Sequence, residues 1–333
     1  MRPTHPFRPQ WPWVTGDLQT VRNTLWGWVG RGPGAPGDRS VSVELPCDDG
    51  TGDRLVAVVD QPVGTNDGAR KPLVMLVHGL TGCADSAYMR ATAACLLRLG
   101  YPVVRLNLRG AGPSRPLCRQ QYHAGRGGDL AIAIRALAAG GHGVVRALVG
   151  YSLGGSIVLN HLADVGGDTG VAAAAVVSTP LDLAASSQRM MQTRNWLYHA
   201  ALLRRMKRET LQGGLPEPYR RAGASVRTVY AFDDRVVAPW NGFGTADHYY
   251  AQCSAARRLS AVQVPTQLVH AVDDPWIPVA TYRAADWAKA PALQPMLVAG
   301  GGHVGFHARG DAVSVHDRMI MAWLADRLCN QTA

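Results

Sequence analysis

The serine of Gly150-Tyr151-Ser152-Leu153-Gly154 has the sequence surroundings of a nucleophile. An apolar run at 144–149 precedes it and predicts a buried strand, and residues 156–163 follow with the spacing of a helix. A tight turn between strand and helix exposes a serine hydroxyl, and the flanking glycines let the two elements pass closely. We therefore expect Ser152 to lie on a nucleophile elbow, from which a serine attacks an acyl group.

A serine hydroxyl needs a base that takes its proton and an acid that orients the base. In sheets with such an elbow, the acid and the histidine follow the serine in chain order, in loops after later strands. Asp273 and Asp274 follow one predicted strand, and His303 lies in a glycine-rich loop after the next. His307 is a weaker candidate for the base. The order predicts a catalytic triad of Ser152, His303 and one of the two aspartates.

An oxyanion that forms on a substrate needs backbone N–H donors held in place. The amide of Leu153, at the start of the helix after the serine, is one candidate. The amide of Leu80 is the second, in the loop after the predicted strand 73–77, where Gly79 lets the backbone approach a substrate. We interpret His78 as a brace for this loop through hydrogen bonds, and not as a base or a metal ligand.

The elements that must position these residues alternate between strand and helix from Leu73 onward, which favours a parallel sheet with crossover helices. The alternation stops near Pro180 and resumes near Val264. A helical insert of this kind usually covers a site as a lid. We predict a single α/β domain in four segments, namely an N-terminal extension 1–40, a first core part 41–179, a helical lid 180–255 and a second core part 256–333.

The sequence predicts where three helices of this scaffold begin or end. Asp129 is placed to cap a helix that continues over 130–139, because its side chain can accept a hydrogen bond from a free amide of the first turn. Apolar spacing predicts one helix over 279–289 and a final amphipathic helix over 311–328.

The composition argues against several classes of protein. No apolar run approaches the roughly 18 residues of a membrane span, and the first residues lack a signal peptide's apolar segment, so we expect a soluble, cytoplasmic protein. The six cysteines are scattered, which argues against a zinc site or a disulfide framework. The turn 107–112 lacks the spacing and the lysine of a phosphate-binding loop. We expect no cofactor and no metal.

Positive charge is concentrated in one part of the chain. The formal net charge is +10, and residues 186–227 contain nine Arg and Lys against two Glu. A nucleic-acid reader would also need a recognisable module, and none is indicated, so we expect no nucleic-acid partner. A solvated helix face is the first interpretation of this charge. A weak peripheral contact of the basic lid with an anionic membrane is the alternative.

Motifs along nearly the whole chain resemble the YheT-like branch of the α/β-hydrolases, also called the AB hydrolase 4 family. The segments most specific to this branch are 18–20 (Leu-Gln-Thr), 249–250 (Tyr-Tyr) and 301–306 (Gly-Gly-His-Val-Gly-Phe). Further matches are found in 78–82, 107–110, 122–125, 150–155, 232–235 and 273–275. The sequence departs from the family's usual residues at Asp17, Thr81 and Ser156, none of which belongs to the expected triad.

The resemblance implies an α/β-hydrolase fold, with a mostly parallel central sheet, helices on both faces and a helical lid. It also implies a serine hydrolase of small-molecule or lipid carboxylic esters that uses Ser152, Asp274 and His303. Asp274 is preferred to Asp273 because Asp-Pro-x-x-Pro at 274–278 resembles the acid loop of this fold. The alternatives are a non-catalytic ligand-binding homologue, an acyltransferase or thioesterase, and a membrane-surface phospholipase.

Overall fold

An eight-stranded sheet forms the centre of the computed structural model, which describes residues 1–28, 39–63, 71–167, 169–211 and 214–329. The strands are β1 (Ser40–Pro46), β2 (Arg54–Asp60), β3 (Leu73–Val77), β4 (Val103–Asn107), β5 (Val145–Tyr151), β6 (Ala173–Val177), β7 (Thr266–Ala271) and β8 (Leu293–Val298). Their order in the sheet is β1-β2-β4-β3-β5-β6-β7-β8. The hairpin β1-β2 is antiparallel, β2 is antiparallel to β4, and the remaining pairs are parallel.

Helices cover both faces of the sheet. The α-helices are α1 (Gly16–Trp28), α2 (Ala87–Arg98), α3 (Gly128–Ala139), α4 (Leu153–Val165), α5 (Leu183–Met190), α6 (Trp196–Leu211), α7 (Glu217–Ser225), α8 (Val229–Phe232), α9 (Ala238–Trp240), α10 (Ala246–Cys253), α11 (Val279–Ala284) and α12 (Val315–Cys329). In β3, Met75 belongs to the core cluster that contains α3 and α4, whereas Val74 and Leu76 belong to the cluster that contains α2 and α12. None of the described helices is both long and apolar enough to cross a membrane.

Helices α5 to α10 lie within 180–255, and the described residues of this range contain no strand. We call this range the helical segment. Two apolar clusters lie mainly within it, one around Leu202, Met206 and Phe232 and another around Tyr249 and Tyr250 that also includes Ala124. The interruption of the strand and helix alternation that the sequence predicts is therefore present in the structure.

Two of the predicted helix bounds are wrong. The helix expected over 279–289 ends at Ala284, because Ala285 is extended (φ −68°, ψ 138°) and the Trp287 indole donates to the Tyr282 carbonyl at 2.8 Å. That carbonyl would otherwise accept the next helical bond. The final helix begins at Val315 and not at 311, since Ser314 Oγ accepts from the Asp317 amide at 3.1 Å and so satisfies a free donor of the first turn.

The expected role of Asp129 as a helix cap is also wrong. Asp129 lies inside α3, and its carboxylate accepts from Arg109 Nη2 at 2.7 Å and from Nε at 3.0 Å. Arg109 is fully buried and also pairs with Asp53 at 2.9 Å and Asp49 at 2.7 Å. A buried guanidinium that donates to three carboxylates forms a structural ion network, since its N–H groups are used inside the protein. The turn that carries Arg109 is therefore occupied by protein contacts.

Candidate active site

The turn from β5 to α4 carries Ser152 in a strained conformation. Its φ is 50° and its ψ is −123°, which side chains rarely adopt. A Cβ on Gly150 would lie 2.7 Å from the Gly154 carbonyl oxygen, and a Cβ on Gly154 would collide with the His78 carbonyl oxygen. Glycine is needed at both positions because strand and helix pass so closely. This is the geometry of the elbow that the sequence predicts.

His303 lies between Ser152 and Asp274. Its Nε2 is 2.9 Å from Ser152 Oγ, and its Nδ1 is 2.9 Å from Asp274 Oδ2. An ionised carboxylate only accepts hydrogen bonds, so Nδ1–H donates to Asp274 and Nε2 is left to accept from the serine hydroxyl. Asp274 is 4% exposed and His303 is 6% exposed. The arrangement suits transfer of the Ser152 proton to His303.

The loop after β7 holds Asp274 in place. Asp274 Oδ1 accepts from the amides of Trp276 at 2.8 Å and Ile277 at 3.0 Å, which leaves Oδ2 for His303. Burial by itself raises the pKa of Asp274, but the charge and hydrogen bond of His303 outweigh it, and the pKa lies below its ordinary value. The Trp276 ring stacks on the imidazole with centroids 4.4 Å apart. The acid and the ring that it orients are therefore fixed by the same loop.

Asp273 has a different partner. Its Oδ1 accepts from the Gly302 amide at 2.9 Å, next to His303 in the chain. Burial raises the pKa of Asp273. The two adjacent aspartates thus divide their contacts, since Asp274 binds the imidazole and Asp273 binds the backbone of the loop that carries it.

The loop after β3 lies directly against the serine. A Cβ on Gly79 would be 2.9 Å from Ser152 Cβ, so only glycine permits this approach. Leu80 and Leu153 line the same cavity as Ser152. Within the described parts of the chain, the N–H groups of Leu80 and Leu153 donate to no protein acceptor. Two unpaired amides beside a serine are what an oxyanion hole requires.

His78 braces this loop, as the sequence predicts. The Leu108 amide donates to Nε2 at 3.1 Å, so the other ring nitrogen, Nδ1, carries the hydrogen and donates to the Gly79 carbonyl at 2.8 Å. Burial lowers the pKa of His78 to about 4. The ring is therefore neutral at neutral pH, and both of its nitrogens are used in protein contacts.

The start of the chain supports the histidine loop, and sequence reasoning missed this role. Thr20 Oγ1 accepts from the His303 amide at 2.8 Å across 283 residues of sequence. The buried Gln19 side chain accepts from the His307 amide at 2.8 Å and donates to the His307 carbonyl at 3.0 Å. The Leu-Gln-Thr motif at 18–20 was the only signal, and no local pattern connects it with His303.

His307, the weaker candidate for the base, faces α1. Its Nε2 lies 2.7 Å from Arg22 Nη1 and 2.9 Å from Asn23 Oδ1. Burial and the Arg22 charge lower the pKa of His307 to about 3. The ring is therefore neutral and held by the N-terminal helix, whereas His303 contacts Ser152.

A cavity of about 900 Å³ opens over Ser152 and His303. Loops of the sheet, helix α1 and the helical segment all contribute to its wall. Much of the lining is apolar and includes Leu183, Met190, Leu202, Met206, Phe232 and Trp276. An apolar cavity with a few convergent polar groups is typical of a small-molecule site.

Two carboxyl groups of the helical segment also line the cavity. Glu209 accepts from Tyr122 Oη at 3.1 Å, and Asp233 accepts from Tyr250 Oη at 2.6 Å. Burial raises the pKa of Glu209 to about 7 and that of Asp233 to about 7. Both carboxyls therefore titrate near neutral pH. Sequence reasoning assigned neither to the site, because nothing in their local pattern shows that they face it. The one signal was that Asp233 lies in the matched segment 232–235.

Comparisons with known proteins identify a family and relatives of this chain. The family model described as alpha/beta hydrolase fold matches residues 72–309. YheT of Escherichia coli (strain K12) is 31% identical over 78% of this chain and 75% of its own. Phospholipase ABHD3 of Mus musculus is 28% identical over 72% of this chain and 59% of its own, and the monoacylglycerol lipase of Saccharomyces cerevisiae is 29% identical over 81% and 60%.

Solved structures share the architecture at low sequence identity. The Pyrococcus furiosus esterase Pf2001 superimposes with a TM-score of 0.59 and 15% identity, covering 87% of this chain and 93% of its own. At that identity the match concerns the fold alone. The family model covers most of the chain, and YheT resembles it over most of both sequences. The chain therefore belongs to the α/β-hydrolase fold family, in its YheT-like branch.

Proposed function

We propose that this protein is a serine hydrolase of carboxylic esters. Ser152, His303 and Asp274 form its catalytic triad, and the amides of Leu80 and Leu153 form its oxyanion hole. The observation that carries the proposal is the hydrogen-bonded chain from Asp274 through His303 to Ser152 beside a largely apolar cavity. The mechanism uses no cofactor and no metal.

The reaction proceeds through an acyl-enzyme. Ser152 Oγ attacks the ester carbonyl carbon while His303 Nε2 takes the hydroxyl proton, and Asp274 stabilises the imidazolium. The tetrahedral oxyanion accepts hydrogen bonds from the Leu80 and Leu153 amides. His303 then gives its proton to the departing alcohol. A water molecule attacks the acyl-enzyme with His303 as base, which releases the carboxylic acid and restores the serine.

The substrates are small-molecule or lipid esters. The apolar lining favours an acyl chain, because burying methylene groups is favourable. Two relatives carry names of lipid hydrolases, the mouse phospholipase and the yeast monoacylglycerol lipase, and the chain spans 59% and 60% of their lengths. In this proposal the helical segment acts as the lid between core parts 41–179 and 256–333, and residues 1–40 form the N-terminal extension.

Hydrolysis of p-nitrophenyl esters of graded chain length tests the proposal and measures the cavity. We expect the wild type to hydrolyse the series. Ala201→Phe is expected to lower kcat/KM about tenfold for esters with long acyl chains and to leave p-nitrophenyl acetate unaffected, because the new ring fills part of the cavity that Ala201 lines. Ala200→Phe is the matched control, since Ala200 is exposed on the same helix and is absent from the cavity wall. Equal profiles for both variants would contradict this placement of the acyl chain.

A fluorophosphonate probe separates the ester hydrolase from a non-catalytic homologue. A hydrolase gives one adduct, on Ser152, whereas a ligand-binding homologue gives none. Acyl-CoA substrates and added alcohol acceptors separate the thioesterase and acyltransferase alternatives, because an acyl-enzyme partitions between water and a competing acceptor. Preferred transfer to the alcohol, or preferred turnover of thioesters, would replace the hydrolase proposal.

Exposed apolar residues beside basic ones favour a second candidate, a hydrolase that works at a membrane surface. Trp196 and Leu197 are each 63% exposed at the start of α6. Leu197 lines the cavity together with Arg194 and Arg205. An aromatic and aliphatic pair with arginines beside it suits contact with anionic lipid, since the apolar groups enter the interface and the arginines attract the headgroups.

Flotation with vesicles tests this contact. The protein is expected to bind phosphatidylglycerol vesicles more than phosphatidylcholine vesicles, and Trp196→Ala/Leu197→Ala is expected to lower the partition coefficient about tenfold. Val41→Ser is the control, because Val41 is exposed on β1 in the hairpin at the edge of the sheet. Binding that is insensitive to salt would reject the arginines as part of the contact. Equal binding by the two variants would reject Trp196 and Leu197.

A further inference from the structure

Glu209 of helix α6 is joined to the loop 79–82 through Tyr122. Tyr122 Oη donates to Glu209 Oε2 at 3.1 Å, and the Thr81 amide donates to the same Oη at 2.7 Å. The Tyr122 side chain is buried. Thr81 directly follows Leu80, so a carboxylate of the helical segment is two hydrogen bonds from the residue next to the proposed oxyanion donor.

The direction of these bonds makes them dependent on one another. A tyrosine hydroxyl has a single hydrogen and accepts through its lone pairs. Since the Thr81 N–H takes an acceptor position on Tyr122, the hydroxyl hydrogen is directed to Glu209. In such a chain each bond polarises the next and strengthens it. Without Glu209 the hydroxyl has no fixed orientation, and its hold on the Thr81 amide weakens.

Thr81 needs this hold because its backbone is strained. Its φ is 58°, a left-handed conformation that a β-branched residue adopts only where its surroundings impose it. On the other side of Leu80, the Gly79 amide donates to Tyr88 Oη at 3.0 Å. Two tyrosines therefore fix the amides that flank Leu80, and only one of the two is tied to the helical segment by a carboxylate.

We infer that Glu209 is a positioning residue for the oxyanion hole and that it acts through Tyr122 and Thr81 on the Leu80 amide. The inference rests on the proposed function, because it assigns the Leu80 amide to the transition state. Through this chain of hydrogen bonds, the position of α6 at the cavity affects the conformation of the loop 79–82 beside Ser152. A residue of this kind affects kcat more than substrate binding, since the oxyanion exists only after attack.

Substitutions of the two side chains test the inference at pH 8, where Glu209, with a pKa raised to about 7, is ionised. Tyr122→Phe and Glu209→Met are expected to lower kcat for p-nitrophenyl butyrate about tenfold with KM within about twofold, because loss of a whole oxyanion donor costs about 10²- to 10³-fold. Glu209→Gln keeps an acceptor for Tyr122 and is expected to stay within about twofold of the wild type. The double variant should match Tyr122→Phe alone, since both changes break one link.

Lys207→Met is the matched control on the same helix. Lys207 Nζ donates to the carbonyls of Ala224 at 2.9 Å and Val226 at 2.6 Å, so its loss loosens the helical segment without touching the loop 79–82. Its kcat is expected to stay within about twofold of the wild type even where the melting temperature falls. The inference is overturned if Tyr122→Phe and Glu209→Met have the kcat of Lys207→Met, or if their losses lie in KM.

The rate of fluorophosphonate labelling separates a failure of this inference from a failure of the proposed function. Labelling of Ser152 uses the oxyanion hole but needs no ester turnover. If the wild type is labelled and hydrolyses no ester, the ester hydrolase is rejected, and the labelling rates still decide the role of Glu209. Slower labelling of Tyr122→Phe and Glu209→Met supports positioning, whereas equal rates overturn it. An unlabelled wild-type protein overturns both.

Discussion

Replacing Ser152 by alanine is expected to lower kcat for ester hydrolysis by about 10⁵-fold and to abolish fluorophosphonate labelling. The variant lacks the only atom that forms the acyl-enzyme in the proposed mechanism. It keeps His303, the cavity and the amides of Leu80 and Leu153, so the residual rate reflects binding and oxyanion stabilisation alone. Turnover of p-nitrophenyl butyrate and the intact mass of the labelled protein measure the two effects.

Ser152→Gly is the matched control for the backbone of the elbow. Both variants lack the hydroxyl and are expected to be equally inactive, but glycine adopts φ 50° and ψ −123° more readily than alanine. We expect the glycine variant to be more stable than the alanine variant by about 1 kcal/mol, and its melting temperature to be a few degrees higher. Alanine-variant activity within tenfold of the wild type would reject Ser152 as the nucleophile.

Much of the scaffold follows from local sequence pattern. Strands buried on both faces appear as short apolar runs, and β3 has its predicted bounds, Leu73–Val77. The positions of Ser152, His303 and the aspartate pair follow from chain order alone, because parallel strands bring their carboxyl ends to one edge of the sheet. The prediction of an elbow needed only the glycines and the elements on each side of them.

The remaining parts of the site depend on contacts between distant segments. Thr20 and His303 are 283 residues apart, and the Tyr122 and Glu209 pair is 87 residues apart. The periodicity of apolar residues does not predict which loops contact each other. The prediction that Asp129 caps a helix is wrong for the same reason, since an acidic residue at the start of a helix resembles a cap until its buried partner, Arg109, is known. Tertiary pairing overrode the local pattern there.

The second large loss of kcat is expected at one of the two adjacent aspartates, Asp274. Asp274→Asn is expected to lower kcat about 10⁴-fold, because the amide can donate to His303 Nδ1 and so favour the tautomer whose Nε2 carries a hydrogen. That tautomer cannot accept the Ser152 proton. Asp273→Asn is expected to cost less than about tenfold, since its amide oxygen still accepts from the Gly302 amide. Steady-state kinetics and labelling rates of both variants measure the contrast.

The pH dependence of the melting temperature tests the different charge states of Asp274 and Asp273 independently of the kinetics. Because the pKa of Asp274 lies below its ordinary value, its ionised form stabilises the fold at neutral pH, and this contribution is lost as the pH falls through the folded-state pKa. Asp274→Asn should therefore lower the melting temperature more at pH 7 than in acid. Asp273 has a raised pKa, so its charge opposes folding as the pH rises, and Asp273→Asn should relieve that cost at neutral pH. If kcat fell equally in the two variants, or fell more in Asp273→Asn, the assignment of Asp274 as the triad acid would be wrong.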